Sequence, residues 1–201
     1  MDISRYTTAQ LRKMLVDADE KEKTALIRHM RRDTRVTVQG LAQSVMNQLA
    51  RQEALERKFT EMTVEERAAW EQGYQAVAGM DEVGRGPLAG PVVTACVVWP
   101  PDARLLGVDD SKKLSPEKRE ELIPQIMEKA VAVGIGRVDN DTIDRINILE
   151  ATKRAMVEAI DDCAIRPDYL LVDAVKLDVD MPCRSIIKGD QRSFAIAAAS
   201  I

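Results

Sequence analysis

The chain has 201 residues, a formal net charge of −4, 45% hydrophobic residues and only 3% aromatics. That is an ordinary globular composition with an aliphatic core, and no apolar stretch nears the roughly 20 residues that span a bilayer. The start, Met1-Asp2-Ile3-Ser4-Arg5, lacks the layout of a signal peptide, and three scattered cysteines without metal-site spacing (Cys96, Cys163, Cys183) fit free or buried thiols in a reducing cytoplasm. Charge is uneven along the chain. Residues 1–70 hold 13 Lys/Arg against 11 Asp/Glu, whereas residues 71–201 hold 16 against 22. An acidic body with a mildly basic lead segment is compatible with a metal-dependent site and a separate contact surface.

Residues 1–70 read as a small all-helical domain. Thr8 is placed to cap a short helix through Met14. Asp17 is placed to cap a second, with Leu26, Ile27 and Met30 inward and Lys23, Arg28, Arg31 and Arg32 outward. A third helix is expected from about Val36 to Phe59. Thr63-Val64-Glu65-Glu66 fits a capping box that opens a short helix over Trp70. The cations Arg28, Arg31, Arg32 and Arg35, with His29, suit either a phosphate backbone or a solvated helix face. His29 is the sole histidine. A His-based triad or His-rich metal site is therefore excluded, and acid–base or metal chemistry must run on carboxylates.

From residue 71 to 201 strands alternate with helices, which predicts an α/β domain. The apolar run Tyr74 to Met80 leads into Asp81-Glu82, then a Gly84-Arg85-Gly86-Pro87 turn, then a second apolar run from Val92 to Trp99. This predicts a strand, a sharp loop and a returning strand, with both acids at the first strand's carboxyl end. The loop Ala103 to Lys113 holds Asp109-Asp110-Ser111-Lys112-Lys113. Ser115-Pro116-Glu117 starts a helix to about Lys129, which Pro124 is expected to kink or split. A third strand spans Ala130 to Val138. Helical periodicity follows up to Asp162, with Asn147 placed to cap a second helix within it. Tyr169 to Val172 is a short apolar strand ending at Asp173. Cys183 to Ile187 forms a fifth strand before Lys188-Gly189-Asp190, and Ser193 to Ile201 is an apolar helix of small residues.

Adjacent carboxylates repel each other, so Asp81-Glu82 is costly unless a cation neutralises the pair. An acidic hairpin turn with glycines for geometry alone is the simpler reading of that segment. In an open α/β sheet, however, ligands bind beyond the carboxyl ends of strands. Asp81, Glu82, Asp173 and Asp190 all fall there. Four carboxylates without His or Cys suit hard cations such as Mg²⁺ or Mn²⁺, and two such ions about 4 Å apart clamp the oxygens of a phosphodiester. The competing reading keeps each acid as a strand-end cap or surface charge.

Five motifs in order, Asp81-Glu82-Val83-Gly84-Arg85-Gly86-Pro87, Asp110-Ser111-Lys112-Lys113-Leu114-Ser115, Leu171-Val172-Asp173, Lys188-Gly189-Asp190 and Ala197-Ala198-Ala199-Ser200-Ile201, closely resemble bacterial ribonuclease HII over residues 73–201. The resemblance implies a ribonuclease H-like fold, with a mixed five-stranded sheet flanked by helices. It implies an endonuclease acting on the RNA strand of RNA–DNA hybrids and on single ribonucleotides embedded in duplex DNA, and leaving 5′-phosphate and 3′-hydroxyl ends. It makes Asp81, Glu82, Asp173 and Asp190 the catalytic acids that hold Mn²⁺ or Mg²⁺. Gly84, Arg85 and Gly86 become readers of the ribose 2′-hydroxyl, and Lys112, Lys113 and Ser193 become phosphate contacts. Arg85 argues against the sister family, ribonuclease HIII, which lacks that arginine. A cytoplasmic monomer is expected, with no membrane partner.

Two departures accompany the resemblance. Residues 1–70 lie outside the family's common core, so a duplex-binding role for them is an expectation from charge alone. The sequence stops at Ser200-Ile201 inside an apolar helix with no stop signal. Family members continue into a helix whose tyrosine stacks at the junction sugar, and Tyr6, Tyr74 and Tyr169 do not correspond to it. The expectation is a catalytic domain lacking its C-terminal part. The alternative is a weakly active form that acts only as a nucleic-acid-binding module.

Overall fold

In a computed structural model of the chain, residues 2–86 and 90–201 are described. Pro87, the last residue of the Gly-Arg-Gly-Pro turn, lies outside them. The chain folds as two compact units, Met1–Glu56 and Arg57–Ile201. The sequence-based boundary at residue 70 thus falls inside the second unit.

The first unit contains α1 (Thr8–Asp17), α2 (Glu20–Arg31) and most of α3 (Val36–Met62). Its core joins Ile3, Leu11, Leu15, Leu26, Ile27, Met30, Val38, Leu41 and Ala42. The caps sit slightly away from their expected places. Thr7 rather than Thr8 caps α1, in a reciprocal box with Gln10; Asp19 rather than Asp17 caps α2, in a box with Glu22. Both true caps have an acceptor three residues ahead of the donor they satisfy, with a Gln or Glu to answer it. Arg35 is committed to structure: its guanidinium binds Asp33 and the carbonyls of Ile3 and Tyr6. This removes it from the basic run as a phosphate contact.

The second unit is built on one mixed sheet. After α4 (Val64–Glu71) come β1 (Val77–Val83), β2 (Val92–Val98), α5 (Pro116–Lys129), β3 (Ala132–Val138), α6 (Asn140–Ile146), α7 (Ile148–Asp162), β4 (Tyr169–Asp173), β5 (Cys183–Ile186) and α8 (Phe194–Ser200). The strand order is β3-β2-β1-β4-β5. β1, β2 and β3 form an antiparallel meander, whereas β1, β4 and β5 run parallel. The Asp168 carboxylate accepts the amides of Gln75 and Ala76, 93 and 92 positions away, and so fixes the entry of β4 beside that of β1. The three parallel strands therefore end at one edge.

Alternation along β1 sends Ala78 and Met80 to one face, with Met156, Ala159 and Ile160 of α7. Val77 goes to the other face, with Ile196 of α8 and Ala69 of α4. Strand glycines mark where the helices press closest. A Cβ on Gly134 or Gly136 would collide with the α7 carbonyls of Ala159 or Ala155. One on Gly79 would fall on the backbone of Ala195 and Ile196. On that second face Trp99 packs at a tilt on Phe194, centroids 4.6 Å apart, and Phe194 also meets Phe59 edge-on at 5.1 Å.

Asp81 and Glu82 lie at the carboxyl end of β1, as expected, paired opposite Ala95 and Thr94 because the ladder with β2 continues to Val83. Two local expectations are corrected. α5 is one continuous helix through Pro124. Pro124 is exposed, so the carbonyl that loses its partner lies on the solvent side, where water replaces the bond. Thr63 makes no side-chain cap on α4; its hydroxyl donates back to the Phe59 carbonyl, and Glu66 turns inward instead of closing a capping box. All three cysteines are free thiols, Cys96 and Cys163 buried and Cys183 half-buried. Among the described residues no helix is long and apolar enough to cross a membrane.

The close approach of Gly79 to α8 yields a direct test of the fold. Gly79→Ala is expected to lower unfolding free energy by about 3 kcal/mol through overpacking against α8. A urea titration with an unchanged midpoint would show that α8 does not lie so close.

Candidate active site at the carboxyl edge of the sheet

The parallel register pairs Met80 with Val172, so Asp81 and Asp173 come one step further along, side by side on the face shared with α8. Asp173 accepts the Gly189 amide through Oδ1 at 2.7 Å. This bond ties the end of β4 to the short 3-10 turn Gly189–Gln191, where Asp190 sits 6% exposed. Lys188, just before it, adopts a left-handed backbone (φ 56°) that turns the chain after β5 into this position. A Cβ on Gly189 would crowd the Ile196 side chain and the Asp173 carboxylate, both of which would have to give way.

Glu82 alternates to the other face, level with Thr94. Its Oε1 accepts a 2.9 Å bond from Arg85. Its Oε2 is buried without a hydrogen-bond partner, as is the Thr94 hydroxyl. Gly84, between Glu82 and Arg85, has φ 103°, and a Cβ there would strike the Pro91 carbonyl. Gly84 is therefore needed for the turn itself. A Cβ on Gly86 would meet no atom within 4 Å among the described residues.

Electrostatics show that the acids feel one another. Burial, followed by the charges of Glu82, Asp173 and Asp190, pushes Asp81 up to about 7, although the Glu82 amide bonded to it pulls the other way. Glu82 is also raised by burial, opposed by Arg85 and by the nearby Lys112 charge. Asp190 is raised by burial and by Asp110 and Asp173, again opposed by Lys112. Four carboxylates thus share one sheet edge. Among the described residues they do not close into a group of three or more poised around a metal ion. Asp81 and Glu82 point to opposite faces, and Glu82 is turned toward Arg85.

The basic residues separate into two kinds. Lys112 is exposed and its charge reaches Glu82 and Asp190. Lys113 lies 3.8 Å from Asp109 and 3.9 Å from Asp110, a loose pairing. Ser193 is corrected as a phosphate contact. It is 0% exposed, and its hydroxyl donates to Glu66 and accepts the Ile196 amide.

Sequence reasoning missed three supports of this edge. Asp110 is buried, caps the lysine turn through the Lys112 amide, and accepts Gln191 Nε2 at 3.3 Å, next to Asp190. Lys58, from the end of α3, makes an ion pair with Asp109. Glu66 reaches the start of α8. A buried Asp one residue before a Ser-Lys-Lys turn was visible as a motif; the long-range partners carry no local signal.

The mixed sheet in the order β3-β2-β1-β4-β5, with helices on both faces, defines a ribonuclease H-like fold. The sequence model of ribonuclease HII matches residues 78–201, and that of the ribonuclease HII N-terminal domain matches residues 7–70. The chain belongs to the ribonuclease HII family. It is 57% identical over 165 residues to ribonuclease HII of Enterococcus faecalis, covering 81% of this chain and 65% of that protein. It is 44% identical over 199 residues to ribonuclease HII of a Geobacillus species, covering 99% of this chain and 72% of that protein. Among solved structures it resembles ribonuclease H2 from Pyrococcus horikoshii, with 28% identity and a TM-score of 0.56 over 63% of this chain and 69% of that one. The chain thus spans about two thirds of the length of these relatives.

The raised Asp81 carries a signed consequence. Between the ordinary carboxylate value of 3.8 and about 7 the folded chain holds a proton that the unfolded chain has lost. Stability contributed by this group therefore falls as pH rises through that window and stays low above it. In metal-free protein, Asp81→Asn is expected to raise the melting temperature at pH 8 and to leave it near wild type at pH 5. Equal shifts at both pH values would show that ionisation of the buried Asp81 carries no such cost.

Proposed function

We propose that this chain is the catalytic portion of a metal-dependent endonuclease that hydrolyses a phosphodiester 5′ to a ribonucleotide, in RNA–DNA hybrids and in duplex DNA with a single embedded ribonucleotide. The observation that carries this reading is the gathering of Asp81, Glu82, Asp173 and Asp190 at one sheet edge in a chain of the ribonuclease HII family. The donor set is all oxygen, and the orphaned Glu82 Oε2 and the raised Asp81 are groups that a divalent cation would relieve. Asp81, Glu82, Asp173 and Asp190 are the residues that would hold it. When bound, Mg²⁺ or Mn²⁺ supplies an activated water and charge stabilisation at the leaving oxygen.

The protein's own residues do the rest. In the reaction, water oxygen bonds to phosphorus and the bond to the 3′-oxygen breaks. The downstream strand keeps a 5′-phosphate and the upstream strand gains a 3′-hydroxyl. Only a 2′-hydroxyl distinguishes RNA from DNA at the scissile step, and the backbone groups of Gly84, Arg85 and Gly86, which follow Glu82 in the chain, are the proposed readers of it. Lys112 supplies a cation next to the acids that orients a phosphate without reading bases. Lys113 serves in a more peripheral phosphate contact. Such chemistry belongs to ribonucleotide removal and DNA repair in the cytoplasm. Residues 1–56 are proposed to aid duplex binding through Arg28, Arg31 and Arg32.

The decisive measurement uses a duplex with one ribonucleotide, incubated with Mn²⁺ or Mg²⁺. Asp81→Asn and Asp173→Asn are each expected to lower cleavage by at least about 100-fold while leaving duplex binding within a few-fold. Full activity in either variant would sink the reading, and binding without any wild-type cleavage would favour a binding module. Deleting residues 1–56, the unit boundary that the fold defines, is expected to weaken duplex binding and flatten its salt dependence. Unchanged binding would leave that unit a different role.

A further inference from the structure

We propose that Glu66, on α4, is a positioning residue that holds the Asp190 segment against the acids of β1 and β4; the inference rests on the hydrolytic reading above. Glu66 is 0% exposed, an unusual place for a carboxylate. Its Oε1 accepts the Ser193 hydroxyl at 2.6 Å and the Ala195 amide at 2.8 Å, 127 and 129 positions away. The Ser193 hydroxyl oxygen in turn accepts the Ile196 amide at 3.1 Å. One carboxylate therefore organises the open donors of the first turn of α8.

The chain of bonds continues past Asp190. The Ser193 amide donates to the Gly189 carbonyl at 2.8 Å, and the Gly189 amide donates to Asp173 Oδ1 at 2.7 Å. Hydrogen bonds thus run from Glu66 to Asp173, entering the Asp190 turn after that residue and leaving it before. Glu65, the neighbour of Glu66, adds ion pairs to Arg184 of β5 at 2.7 Å and to Arg192 at 3.0 Å. α4 grips the chain on both sides of Asp190 by two adjacent acids.

Energetics favour a positional role over simple stabilisation. Glu66 Oε2 has no hydrogen-bond partner, and burial lifts the group to about 7 against the pull of its two donors. A buried acid with one orphaned oxygen is a poor device for stability alone. It is a good device for fixing where one backbone turn sits. The same face carries the close approach of Gly79 to α8, so the turn has little freedom to shift toward the sheet.

The test uses the full chain with Glu66→Ala, Glu66→Gln and Ser193→Ala, all assayed well below their melting temperatures. Three readouts are hydrogen exchange of the Gly189 amide, Mn²⁺ affinity by calorimetry, and kcat and KM on the single-ribonucleotide duplex. Glu66→Ala is expected to expose the Gly189 amide and to lower Mn²⁺ affinity and kcat by about tenfold, with KM within about twofold. Glu66→Gln keeps an acceptor for both donors and should recover most of the loss. Ser193→Ala removes one of the two bonds and should lie between; it also decides the matter should Glu66→Ala fail to fold. A lowered melting temperature with Gly189 protection, Mn²⁺ affinity and kcat all at wild-type values would overturn the inference. Should the wild-type chain neither bind Mn²⁺ nor cleave, the hydrolytic reading fails. Gly189 protection then decides alone: its loss in the variants supports the positioning role and its persistence overturns it.

Discussion

Carboxylates held at one sheet edge repel each other, and most of the second unit serves to keep them there. Asp81 and Asp173 are neighbours because β1 and β4 are parallel and in register. Asp190 joins them because the turn after β5 is pinned to Asp173 through Gly189. None of these placements is favourable in itself, as the upward displacement of Asp81, Glu82 and Asp190 shows. The opposing free energy comes from aliphatic packing on both faces of the sheet, around Met80, Leu170 and Val172 on one side and Trp99 and Phe194 on the other. The site is a strained rim on a well-packed body, and the chain's own cations Arg85 and Lys112 offset part of the strain.

Much of this was legible in the sequence because it rests on local signals. The strand periods, the Ser115-Pro116 helix start and the Asn147 cap all appear where expected. The four acids stood out because each closes an apolar run or follows one within a few residues. What failed was also local reasoning, at points where a distant partner won. Glu66 matched a capping box, yet the donors at Ser193 and Ala195 offered a buried carboxylate more than its own helix start did. Ser193 looked available beside Asp190 but is the other half of that same contact. Pro124 left its helix intact because the lost bond faces solvent. No sequence period encodes an interaction across 127 positions.

The division of the lysine pair follows the same logic. Lys112 and Lys113 are indistinguishable in sequence, and a 3-10 turn necessarily sends consecutive side chains in different directions. Asp110 caps that turn, so one lysine is left to the acids and the other to Asp109 and Asp110. A motif names the residues of a surface; the turn type decides which of them faces the acids.

The Asp168 clasp between the entries of β1 and β4 has a consequence for how the chain assembles. β1, β2 and β3 are neighbours in sequence order and can zip into a meander early, burying apolar surface with little loop-closure entropy. β4 must find β1 across some 92 positions, so the parallel half of the sheet belongs to the slow, non-local part of folding. Asp173 and Asp190 arrive with that half. The crowding of Asp173 and Asp190 against Asp81 is thus met only when the parallel half docks on a meander that already buries apolar surface, whereas the Asp81–Glu82 pair enters with β1 itself.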